Sequence, residues 1–191
     1  MKKLILASAS PWRKNILTKA GFRFTVEESG YKENMGLKLS PRVLARTLAL
    51  GKVKKAATRH KDAVVLAADT FAVFRGELLG KPLTPKRAVQ MLKMLSGKTH
   101  TLLTGFAIAD SKTGKSVAKV VATRVTMRKL PEQEILDYVA TGEPLNAAGA
   151  YVVQGGGAKL IQKTDGDINN IAGLPLLDVV AELKKFGVSA R

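Results

Sequence analysis

Ala63-Val64-Val65-Leu66-Ala67-Ala68-Asp69-Thr70 is a run of six apolar residues that ends on a carboxylate and a hydroxyl. It lacks the alternation of a strand with one wet face, so it reads as a strand buried on both faces, the pattern of a sheet covered by helices. In such α/β sheets ligands bind beyond the carboxyl ends of strands, which makes Asp69 a first candidate for function. Upstream, Ser40-Pro41 is the cap-and-proline start of a helix reaching about Arg59. Earlier still, Leu4-Ile5-Leu6-Ala7 followed by Ser10-Pro11 reads as strand, turn and helix, closed by Gly21, with Trp12, Ile16, Leu17 and Ala20 on the inner side. A short strand near residues 22–26 follows. Residues 27–39 have mixed polarity, two glycines and no period, and read as a loop.

Downstream, residues 71–74 and 77–79 flank Arg75-Gly76, a hairpin-like turn. Thr84-Pro85 starts a third helix that turns Ala88, Val89, Met91, Leu92 and Leu95 inward and stops at Gly97. Two long strands near residues 99–109 and 116–128, joined at Lys112-Thr113-Gly114, predict an antiparallel hairpin. Pro131 opens a fourth helix with Ile135, Leu136 and Val139 inside. Strands at 150–153 and 158–162, separated by Gly155-Gly156-Gly157, and a last helix from about Leu176 complete the chain. Alternation that gives way to a hairpin predicts an α/β fold with a mixed, partly antiparallel sheet flanked by helices.

A chain of 191 residues sustains one well-buried core, and a single domain over 1–191 is the simplest organisation. With 46% hydrophobic and 25% charged residues, neither disorder nor a low-complexity tail is expected. No apolar run is long enough to cross a bilayer, and Leu4 to Ala7 is too short for a secretory segment, so the expected address is the cytoplasm. The absence of cysteine excludes disulfides, thiolate nucleophiles and sulfur-ligated zinc. His60 and His100 alone make histidine-rich metal chemistry a poor expectation. The net charge of +17, densest over residues 52–61, attracts an anion: a triphosphate, a nucleic acid or counterions. An aromatic share of 5% argues against single-strand binding through base stacking.

Ser8-Ala9-Ser10-Pro11-Trp12-Arg13 combines free N–H groups at a helix start, two hydroxyls and a guanidinium, a set suited to phosphate oxygens. The plainer reading is a capped helix with a surface arginine. Asp69 has a turn or cap as its plainer reading, Glu33 an exposed loop carboxylate, and Lys52 a face residue of a basic helix. Lys81, in Leu79-Gly80-Lys81-Pro82, stands on backbone restrained by glycine and proline, where it either meets phosphate or is merely solvated. The glycines after Gln154 lack the lysine-serine ending of a phosphate loop and read as a flexible hairpin turn.

The order of these segments resembles the Maf family of nucleotide pyrophosphatases, also called septum formation inhibitors. The resemblance runs through Leu6 to Arg13, Ala68-Asp69-Thr70, Leu79-Gly80-Lys81-Pro82, Leu95-Ser96-Gly97-Lys98-Thr99-His100 and Thr104-Gly105. It continues in Ala148-Gly149-Ala150-Tyr151, Gln154-Gly155 and Asn170 to Leu176. It implies an α/β fold of two lobes around a deep cleft, similar to inosine triphosphate pyrophosphatases, commonly a homodimer and dependent on a divalent metal. Family functional positions match at Ser8, Arg13, Glu33, Lys52, Asp69, Lys81 and Gln154, with Ser10 beside them. The family often has an acidic pair at the Glu33 position, whereas here Lys32 precedes Glu33.

The implied reaction cuts a nucleoside triphosphate between its α- and β-phosphates. A triphosphate carries about four negative charges near neutral pH, so cations must collect it and stabilise the leaving pyrophosphate. Arg13, Lys52 and Lys81 suit that part, and Mg²⁺ or Mn²⁺ is expected through Glu33 or Asp69. Asp69 is the expected base, since a partly buried strand-end carboxylate is better placed to deprotonate water than a loop glutamate. Trp12 and Gln154 point to different bases. Tryptophan at that position goes with 7-methyl-GTP enzymes of the family and suits stacking on a cationic purine. Glutamine at 154 goes with dTTP/UTP enzymes, where an amide both donates to a carbonyl and accepts from N3–H. Pyrimidine triphosphates are the expected substrates, with 7-methyl-GTP hydrolysis and nucleic-acid binding without turnover as the alternatives.

Overall fold

Seven strands and six α-helices form among residues 2–34 and 36–190, which the computed structural model describes. In chain order they are β1 (Lys3–Ala7), α1 (Pro11–Lys19), β2 (Thr25–Glu27), α2 (Pro41–Ala57), β3 (Ala63–Phe74), β4 (Glu77–Leu79) and α3 (Pro85–Leu95). There follow β5 (Thr99–Asp110), β6 (Ser116–Met127), α4 (Glu132–Ala140), β7 (Ile161–Asp165), α5 (Ile168–Ile171) and α6 (Leu176–Lys185). The strand order is β2-β1-β3-β5-β6-β7, with β4 paired to β3. β1 runs parallel to both β2 and β3, while β3 with β4 and β6 with β7 are antiparallel, so the sheet is mixed as expected.

The chain forms two compact units: Met1–Asp69, Thr104–Val121 and Gly173–Arg191 make the first, Thr70–Leu103 and Ala122–Ala172 the second. In the first unit small residues set the spacing. Ile5, Ala7, Val65, Ala67, Ala107 and Ala109 from the sheet pack with Ala49, Val53 and Ala56 of α2. Gly105 completes this fit: a Cβ there would lie 2.2 Å from the Ala45 carbonyl oxygen, so no other residue lets α2 approach β5 so closely. In the second unit α3 packs on α4 over a core that includes Phe74, Met91, Leu92, Leu95, Met127, Ile135, Tyr138 and Tyr151.

Several expectations need correction. β3 does not stop at Asp69 but continues to Phe74, because the exchange of apolar for polar residues at 69–70 changes burial without breaking the ladder. Trp12 is not on the inner side of α1, where Ile16 and Leu17 are buried; it is 38% exposed. Leu136 is likewise exposed, and Tyr138 takes the inward place. No strand forms at 150–153, since Gly149 and Ala150 adopt left-handed φ of 76° and 63°, incompatible with extended backbone. The strand expected at 158–162 starts only at Ile161, after a 3₁₀ turn over Gly156–Leu160. Met35, within the expected loop, lies outside the described residues.

Candidate active site

Ser8 directly follows β1, and Ser10 caps α1 by accepting the Arg13 N–H at 3.4 Å. That cap places Arg13 in the first helical turn, where its side chain folds back over the junction. Its Nη1 donates to Ser8 Oγ at 3.0 Å, and its Nε donates to the Gly173 carbonyl at 2.8 Å. Ser8 Oγ also accepts the Ser10 N–H at 3.2 Å. The guanidinium is therefore held at two points, so it is neither a loose surface arginine nor free to swing. Burial lowers its pKa, and the nearby carboxylates of Asp69 and Glu33 oppose that shift.

Lys52 lies on the buried side of α2, only 9% exposed. Its Nζ stands 2.8 Å from Glu33 Oε1 and 3.0 Å from Asp69 Oδ2. An ammonium is costly to bury unless paired, and two carboxylates supply the pairing. Lys52 is thus no face residue of a basic helix, and the basic stretch 52–61 is not a uniform solvated surface. Arg59 also departs from that picture. It donates to the Ser29 and Glu28 carbonyls at 2.9 and 2.6 Å and to Glu27 Oε1 at 2.7 Å, tying the start of the loop to the end of α2.

A second anchor sits next to Lys52. The Tyr31 ring lies over Gly51 so closely that a Cβ there would be 2.4 Å from its Cζ. The loop consequently lies against α2 at the level of Lys52, which brings Glu33, itself 41% exposed, onto the ammonium. Arg13 and Lys52 carry two positive charges, Glu33 and Asp69 two negative ones, so the group as a whole is neutral. Glu33 and Asp69 each reach the Lys52 ammonium with one oxygen, and hard carboxylate oxygens are the donors that suit Mg²⁺ or Mn²⁺. Among the described residues no cluster of three or more His, Cys, Asp or Glu side chains forms, so a cation here would complete its shell with phosphate oxygens and water.

Lys81 and Gln154 belong to the second unit. Lys81 is exposed on the link between β4 and α3, which two backbone bonds hold in place: Gly149 N–H to Gly80 O at 3.3 Å and Leu83 N–H to Leu145 O at 3.0 Å. Gln154 is exposed on the turn after Tyr151. The structure thus brings Ser8, Ser10, Arg13, Glu33, Lys52 and Asp69 together within the first unit and leaves Trp12 on the outer face of α1.

A family model described as Maf-like protein matches residues 3–186. The chain belongs to the Maf family. Similar Maf relatives include the dTTP/UTP pyrophosphatase of Moorella thermoacetica, 45% identical over 98% of this chain and 97% of that protein. The dTTP/UTP pyrophosphatase of Methanosarcina barkeri is 41% identical over 99% and 96% of the two chains, and that of a Geobacillus species 44% over 98% and 100%. The solved structure of the Staphylococcus aureus Ham1 protein matches with a TM-score of 0.45 and 13% identity over 67% of this chain and 73% of that one.

Tyr31, Gly51, Gly173 and, in the second unit, Tyr138 and Glu143 were not singled out in the sequence. A glycine inside a long helix was the available signal for Gly51, since it costs about 1 kcal/mol against alanine unless packing demands it. Gly173 lies within the family segment Asn170 to Leu176, but its contribution is a backbone carbonyl oxygen, so its contact with Arg13 has no signal in residue type.

Proposed function

We propose that this chain is a nucleoside triphosphate pyrophosphatase that converts dTTP or UTP to the monophosphate and pyrophosphate. The observation that carries the reading is the convergence of Arg13, Lys52, Glu33 and Asp69, far apart in sequence, on one polar cluster beside a phosphate-suited helix start. The relatives' names support the same substrates.

Ser8, the N–H groups of the α1 start and Arg13 bind phosphate oxygens, and Arg13 is already aimed by Ser8 and Gly173. Held through Glu33 together with phosphate oxygens and water, a divalent cation would neutralise phosphate charge and polarise the α-phosphorus, leaving Asp69 as the base. The protein's neutral cluster gives the reason for one, since two cations balanced by two carboxylates cannot offset a triphosphate's charge. Lys52 holds both carboxylates in position through its two ion pairs. Asp69 accepts one proton as water oxygen bonds to the α-phosphorus, and the bond from that phosphorus to the bridging oxygen breaks. The electron pair leaves with pyrophosphate, whose charge Lys52, Arg13 and Lys81 stabilise. Gln154 meets the pyrimidine edge. A homodimer and a cytoplasmic address belong to the same reading, the first open to sedimentation analysis.

Purified protein with Mg²⁺ or Mn²⁺ is expected to release pyrophosphate from UTP and dTTP, and Asp69→Asn to lower kcat by roughly 10²–10⁴-fold. Silence of the wild-type protein across a full panel of triphosphates defeats the proposal. The panel also includes CTP and 7-methyl-GTP, because the exposed indole of Trp12 favours a second reading in which it stacks on a cationic purine.

A further inference from the structure

Gln154 sits in Tyr151-Val152-Val153-Gln154-Gly155-Gly156-Gly157, a segment with three glycines and no regular strand. Such a stretch should wander, yet it is fastened on both sides of Gln154. Two residues before it, the Val152 N–H donates to the Tyr138 hydroxyl at 3.0 Å. Beyond it, the Gly156 and Gly157 N–H groups donate to Oε1 and Oε2 of Glu143 at 3.2 and 3.3 Å. Burial, and after it the neighbouring Glu143 carboxylate, raises the pKa of the Tyr138 hydroxyl, so the two fastenings lie side by side. Tyr151, at the head of the segment, is held through its hydroxyl, 2.9 Å from His100 Nε2.

The glycines are what let this happen. A Cβ on Gly155 would lie 1.8 Å from Glu143 Oε1, and one on Gly157 would lie 2.6 Å from the Val152 nitrogen. Two consecutive N–H groups aimed at one point usually form a nest for an anion. Here the protein's own carboxylate fills it, so the run is neither a phosphate loop nor a flexible turn. Glu143 is half-buried and lies outside the turn.

We propose that Glu143 is the positioning group of the Gln154 turn and thereby a determinant of base selection. The proposal rests on the reading of Gln154 as the amide that meets the base. An amide discriminates among bases only when its atoms are held close to hydrogen-bonding position, because a slack contact recovers little of the difference.

Glu143→Gln keeps one acceptor but sets an NH₂ against a backbone N–H. It is expected to raise KM for UTP about tenfold, to lower the preference for UTP over CTP by a similar factor, and to change kcat by no more than about threefold. Amide exchange at Gly156 and Gly157 should quicken at least about tenfold, a readout independent of turnover. Gln154→Ala is measured beside it, and the double variant should discriminate no worse than Gln154→Ala alone. If Gln154→Ala lowers discrimination while Glu143→Gln does not, or if the two losses add, positioning by Glu143 is overturned. If Gln154→Ala leaves discrimination intact, the reading of Gln154 fails instead, and the role in base selection with it. Slow exchange that persists in Glu143→Gln overturns the fastening itself. Glu143→Asp, which shortens the side chain and withdraws the carboxylate from the two N–H groups, gives the same tests should Glu143→Gln fold poorly.

Discussion

Single residues in this protein are understood by what compensates them. Lys52 is buried and is matched by two carboxylates, while Arg13 is held by one hydroxyl and one carbonyl. His100 is compensated on one side only, where its Nε2 meets the Tyr151 hydroxyl. It is 2% exposed, its Nδ1 has no hydrogen-bond partner, and burial pushes its pKa from 6.5 down to about 4. The unfolded chain takes up this proton below pH 6.5, whereas the folded chain does not until about pH 4. Stability attributable to His100 is therefore intact above 6.5, falls through that window and is fully lost near pH 4, a loss on the order of 3 kcal/mol. Chemical denaturation from pH 7.5 to 4.5 should show the decline, and His100→Gln should flatten it. The window lies largely above that of the paired carboxylates Asp110 and Glu182, whose pKa values are lowered by Lys2 and Lys119 respectively. An equal decline in His100→Gln would refute the assignment.

At the scale of elements, glycine placement decides which pieces approach. Gly105 admits the Ala45 carbonyl of α2, and Gly51 admits the Tyr31 ring. Gly51→Ala separates helix stability from site geometry. Alanine favours the helix by about 1 kcal/mol, but its methyl must displace Tyr31 and with it the segment that brings Glu33 to Lys52. The expected result is a thermal midpoint within a few degrees of wild type and a drop in kcat/KM for UTP of about tenfold or more, since misplacement by 1 Å costs up to about 10²-fold. Unchanged kinetics would mean that Tyr31 does not position Glu33. Cap signals at Ser10 and Thr84 were legible because each is a local bond from a side chain to an N–H three residues on. The strand expected at 150–153 failed because left-handed φ at Ala150 is a demand of its surroundings that an alanine does not announce.

For the whole molecule, 32 basic against 15 acidic residues leave a surplus that the ion pairs cannot absorb. Like charges repel within the folded surface and attract a polyanionic substrate from a distance, and salt screens both effects. Raising NaCl from about 0.02 to 0.3 M, which shortens the Debye length from roughly 20 to 6 Å, should raise the thermal midpoint and raise KM for UTP together. A midpoint that falls with salt would show that specific ion pairs outweigh the general repulsion.

The amino-acid sequence by itself determined the α/β class, the starts of the principal helices, the buried strand that carries Asp69 and the segments that mark the Maf family. These rest on periodicity, caps and short motifs, all interactions between near neighbours in the chain. Only the tertiary structure decided that Lys52 is buried between Glu33 and Asp69, that Arg13 is tied to Gly173, that Trp12 faces outward, and that Glu143 fastens the glycine turn. Each of these outcomes depends on packing and charge compensation from other parts of the chain, and no local pattern at either partner encodes the other.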